Sequence, residues 1–118
     1  IYAPHPQLQL FGGYGHSYDI RADALSREVH GRRLHEMCVY NSRKRSLTVY
    51  SDMPCLQVYT ASKIGGHSPF KGNTPVIPYS AVALEPQFPP NSCNRGEHLL
   101  HPGERYDSLS CYVFEKLP

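Results

Sequence analysis

Apolar and polar residues alternate most clearly in the first half of the chain, where they predict a hairpin. Met37-Cys38-Val39-Tyr40 reads as a strand and Asn41-Ser42-Arg43-Lys44-Arg45 as a polar turn. Leu47-Thr48-Val49-Tyr50 reads as the returning strand, built of β-branched and aromatic residues. Pro54 then breaks the run, because it has no N–H to give to a central ladder. Leu56-Gln57-Val58-Tyr59-Thr60 alternates again, with Leu56, Val58 and Thr60 on one face and Gln57 and Tyr59 on the other. Ser80 to Leu84 is a short apolar run that predicts a strand buried on both faces, ended at Glu85 by Pro86. Ser108 to Phe114 alternates as a closing strand, Leu109, Cys111 and Val113 against Ser110, Tyr112 and Phe114.

The segments between are less regular. Leu8 to Phe11 predicts a strand, Gly12-Gly13-Tyr14-Gly15 a flexible turn, and Tyr18 to Ile20 a further strand. Residues 22–30 suggest a helical turn, and 102–107 a tight turn. Residues 61–79 form a long polar loop, and long loops in compact domains often carry function.

Composition sharpens the picture. Eleven Pro and nine Gly among 118 residues argue against long helices and for a β-rich fold with many turns, in one domain at most. A formal net charge of +2 gives no general field for nucleic acid or for an anionic membrane. Arg43-Lys44-Arg45 reads as a solvated hairpin tip. No apolar run reaches the length of a spanning helix. Cys38, Cys55, Cys93 and Cys111 form no C-x-x-C pair, which argues against a zinc ribbon. They read as free, mostly buried thiols of a reducing compartment, which points to the cytoplasm.

Glu85 is the residue that physics singles out. A carboxylate closing an apolar strand is expected to be partly desolvated, which suits a general base, and the prolines after it stiffen the backbone. Seven histidines invite other readings. His98 and His101, with Cys93 and Cys111 near, are too poorly spaced in a Pro-Gly-rich stretch to argue for a metal. No nucleophile elbow supports a Ser-His-Asp site, and Gly12-Gly13-Tyr14-Gly15 fails the dinucleotide fingerprint.

Four motifs in order resemble those of the aldose 1-epimerases, or galactose mutarotases. They are Gly13-Tyr14-Gly15-His16, Leu56-Gln57-Val58-Tyr59-Thr60, Ala83-Leu84-Glu85-Pro86-Gln87-Phe88 and Pro102-Gly103-Glu104-Arg105-Tyr106. The resemblance implies an all-β fold, an antiparallel β-sandwich of the galactose mutarotase type, incomplete in this chain. Residues 1–118 would be the C-terminal portion of one such domain, and the remainder of that domain its partner. The implied reaction interconverts the α and β anomers of a free hexose, galactose or glucose, by acid/base ring opening, with no metal or organic cofactor. Glu85 matches the general base, Gln57 a glutamine that hydrogen-bonds the sugar, and His16 falls in the substrate-binding Gly-Tyr-Asp-His motif. Two departures accompany the match. The family's acid histidine lies upstream of the matching region, and its motif aspartate, which contacts sugar hydroxyls, is Gly15 here. His16, Ser17 and Asp19 are the nearby groups that could hold those hydroxyls instead. The alternative is a mutarotase-like pseudoenzyme, a sugar-binding or structural subunit.

Overall fold

The computed structural model describes residues 6–66 and 69–118. It consists mainly of antiparallel β-structure, the all-β class that the sequence predicts. The strands are β1 (Gly15–Asp19), β2 (Ser26–Val29), β3 (Arg32–Asn41), β4 (Arg45–Ser51), β5 (Cys55–Tyr59), β6 (Ala83–Gln87) and β7 (Ser110–Lys116). One sheet has the order β1-β5-β6 and the other the order β2-β3-β4-β7. Two compact units are present, one from the described residues of Ile1–His16 and Gln57–Glu85, the other from Ser17–Leu56 and Pro86–Pro118.

The expected hairpin is there and extends further. Arg45 on β4 is paired with Ser42 through both backbone and hydroxyl, the Ser42 N–H donating to the Arg45 carbonyl at 2.8 Å. The register slips between Glu36 and Cys38, leaving Met37 as a bulge. β4 sits between β3 and β7, so Ser46, Thr48, Val49 and Ser51 are all buried. The buried Ser51 hydroxyl is satisfied by Ser110 Oγ at 2.9 Å and the Leu109 carbonyl at 3.2 Å.

Several expectations are corrected. Leu8 to Phe11 is not a strand but the end of a short helix, α1 (Pro6–Phe11). Pro6 stands at its first position, where a missing N–H costs nothing. Residues 22–30 hold no helical turn; β2 runs through Ser26–Val29 and returns on β3 through His30 and Gly31, both at positive φ. That is the geometry of a two-residue hairpin turn whose twist matches the strands. The apolar run at 80–84 is displaced as well. β6 begins at Ala83, continues through Pro86, and is half-buried rather than buried on both faces. It lies at a sheet edge, where a residue with no N–H breaks no ladder bond. Among the cysteines only Cys55 is buried; Cys38 and Cys111 are half-buried and Cys93 is exposed.

Candidate active site

Within the first unit, the Gly-Gly turn leads from α1 into β1. Gly12 and Gly13 both take positive φ, and Gly13 N–H donates to the Leu8 carbonyl at 2.9 Å. The Tyr79 hydroxyl donates to the Gly12 carbonyl, and Tyr79 N–H donates to the Ala61 carbonyl at 3.0 Å. Tyr14 and Thr60 then join the two strands: Thr60 N–H donates to the Tyr14 carbonyl at 3.1 Å, and Tyr14 N–H to Thr60 Oγ1 at 3.0 Å.

That pairing sets the register. With Tyr14 opposite Thr60 in antiparallel strands, Gly15 stands opposite Tyr59 and His16 opposite Val58. Directly opposite residues share a face, and faces alternate along a strand. Gly15 therefore shares the face of Tyr59 and Gln57, whereas His16 belongs to the row of Val58.

Gln57 is half-buried on the central strand β5. Glu85 is on the neighbouring strand β6, at its middle rather than its end, and is exposed. The burial expected from the apolar run before it is not supplied by the described residues. His16 is half-buried, with its ring 5.4 Å from the Phe11 ring at a tilt of 58°.

Position 15 is filled from elsewhere. A Cβ on Gly15 would overlap the Phe11 ring. The Lys63 ammonium lies over that same ring, 4.3 Å from its centroid, and Lys63 N–H donates to the Tyr59 hydroxyl at 3.2 Å. Phe11 and Lys63 were not singled out by sequence. The signal available was an aromatic residue four before the motif glycine, next to a Gly-Gly turn that folds it back.

The second unit holds the other sequence candidates. Asp19 accepts the Cys55 S–H at 3.0 Å. Burial first, and then this carboxylate, push the Cys55 thiol up to about 11. The Ser17 hydroxyl oxygen is buried. His98 stacks on Phe88, ring centroids 3.9 Å apart. Among the described residues no three His, Cys, Asp or Glu side chains are placed to hold a metal ion. Nor, among them, is any helix long and apolar enough to cross a membrane.

The family model for aldose 1-epimerase matches residues 12–112. The chain is 33% identical over 108 residues to the aldose 1-epimerase of Escherichia coli K12, covering 86% of this chain and 29% of that protein. The aldose 1-epimerase of Shigella flexneri matches with the same identity and coverage. The chain thus spans less than a third of the length of these relatives. No solved structure matches significantly.

Proposed function

Because the chain belongs to the aldose 1-epimerase family, we propose that it carries the general base of a sugar anomer-interconverting enzyme, and that this base is Glu85. The Glu85 carboxylate takes the proton of the anomeric hydroxyl while an acid protonates the ring oxygen. The C1–O5 bond opens to the free aldehyde, the C1–C2 bond rotates, and the ring recloses on the other face of C1 as the O5 proton returns to the acid's conjugate base and Glu85 returns its proton to the C1 oxygen. Gln57 hydrogen-bonds the sugar during these steps. The resemblance assigns the acid to a histidine outside these 118 residues, and the rest of the sandwich would supply it. The substrate is a reducing hexose, and the free cysteines support a cytoplasmic setting.

The observation that carries this reading is the placement of Gln57 and Glu85 on the neighbouring strands β5 and β6, with Glu85 exposed and open to a substrate. Adjacent strands lie about 4.8 Å apart, within the span of one pyranose ring. Polarimetry on a freshly dissolved α-hexose tests it. Glu85→Gln in the full-length protein is expected to slow the catalysed reaction by about 10²–10⁴-fold, since an amide cannot accept the proton. A near-parental rate would remove Glu85 from the role.

A second reading, a sugar-binding or structural subunit without turnover, is favoured by one observation. The Phe11 ring occupies the space that a motif carboxylate at position 15 would need. That reading expects sugar binding, or none, in a parent protein that does not accelerate anomer exchange.

A further inference from the structure

We infer that Lys63, held by Phe11 beside Gly15, recognises an anionic group on the substrate, so that the sugar taken by this site carries a phosphate or a carboxylate away from its anomeric carbon. This assignment rests on the epimerase reading and narrows its substrate class.

Position 15 carries no side chain, and that sets the chemistry around it. A carboxylate there would accept hydrogen bonds from neutral hydroxyls and would repel an anion. Gly15 has no side chain, and a Cβ on it would overlap the Phe11 ring, so the space is taken by a neutral aromatic face. That face orients the Lys63 ammonium, 4.3 Å from the ring centroid. Beside Gly15 the chain therefore presents a cation and its N–H donors, with no carboxylate of its own at position 15.

The lysine is also placed by its backbone. Its N–H donates to the Tyr59 hydroxyl at 3.2 Å, and Tyr59 is the residue opposite Gly15 and two along from Gln57. The turn that carries it is closed by Ile64 N–H on the Ala61 carbonyl at 3.3 Å, and Ala61 is held in turn by Tyr79 N–H at 3.0 Å. An aromatic face satisfies the charge of an ammonium but accepts none of its three N–H bonds in the ordinary sense. Within its own unit, across Ile1–His16 and Gln57–Glu85, the sequence holds one acidic residue, Glu85 itself. A cation held beside the sugar-facing row of Gly15, Tyr59 and Gln57, in a segment nearly devoid of acids, is suited to a charged acceptor on the ligand.

The test compares three probes in the full-length protein, glucose, glucose 6-phosphate and glucuronate, with anomer exchange followed by NMR. The parent is expected to favour at least one anionic sugar over glucose in kcat/KM, and which one it favours separates phosphate from carboxylate recognition. In Lys63→Gln the anionic-to-neutral ratio is expected to fall about tenfold to a hundredfold, the loss of one charge-assisted bond, mainly through KM. Lys63→Arg should recover most of the ratio. An unchanged ratio in Lys63→Gln, or a parent that prefers glucose, overturns the inference and leaves the epimerase reading standing. Exchange of none of the three sugars overturns both.

Discussion

Glycine at position 15 leaves the space that the Phe11 ring fills. A carboxylate placed there would have no room, because its Cβ would meet the Phe11 ring. The obstacle is packing and not backbone strain, since Gly15 is absent from the positive-φ glycines. Gly15→Asp alone is therefore expected to destabilise the protein by about 1–3 kcal/mol, the range of overpacking, and not to improve sugar affinity. Gly15→Asp with Phe11→Ala should recover stability; calorimetric titration and thermal unfolding of both variants check this. A stable single variant with tighter binding would contradict the packing. Cys55 gives a second prediction at this scale. Its thiol is pushed up to about 11 by burial and by Asp19, whereas an unperturbed thiol ionises at 9.0. Below that lower value both states hold the proton and the contribution is complete. Between the two, the unfolded chain has lost a proton that the folded one retains, so stability falls as pH rises, by about 2–3 kcal/mol in all. Denaturant unfolding at pH 8 and pH 10.5 should show this part of the loss in the parent and not in Cys55→Ala.

Among the elements, those with strong alternation were legible and those set by turns or edges were not. β3, β4, β5 and β7 follow from period-two runs of branched and aromatic residues. Leu8-Gln9-Leu10-Phe11 alternates equally well, yet Pro6 starts a helix there and the Gly12-Gly13 turn ends it. β2 carries three exposed polar residues and one half-buried valine, so its pairing with β3 left no apolar pattern to read. β6 continues through a proline because an edge strand tolerates one, a fact of sheet order that sequence does not show. The motifs point to Gln57 and Glu85, which the structure sets on the neighbouring strands β5 and β6; the meeting of Phe11 and Lys63 depends on a turn and a loop and left no pattern to read. A polar cluster between strands was equally hidden. Arg32 on β3 grips Asp52, between β4 and β5, and reaches Asp107 at 2.8 Å, while Asp52 also accepts Leu109 N–H at 3.1 Å. Asp52→Ala leaves a part-buried arginine and an amide unpaired and should cost about 1–3 kcal/mol. Asp107→Ala, at an exposed carboxylate, should cost at most about 1 kcal/mol. Equal losses in thermal unfolding would show that Asp52 does not hold the entry to β7.

For the whole molecule, the four-stranded sheet leaves an apolar row uncovered. Tyr40, Leu47 and Phe114 are aligned across β3, β4 and β7, and Tyr112 follows on β7 beside Val49, which is itself buried. Phe114 is 76% exposed and Tyr112 44%. Such a row, beside open sheet edges, promotes association. The isolated 118-residue chain is expected to self-associate and to lack a sharp thermal transition; sedimentation showing a clean monomer that unfolds cooperatively would contradict this. The chain spans 29% of the length of the relatives it matches, so the proposed activity is to be measured on the full-length protein. The most direct test is therefore the rate of α-to-β exchange of a reducing hexose by the full-length protein, measured side by side with Glu85→Gln. With Glu85 as the general base, the parent catalyses the exchange and a folded variant loses about 10²–10⁴-fold of the rate. Catalysed exchange that survives Glu85→Gln undiminished would contradict that role.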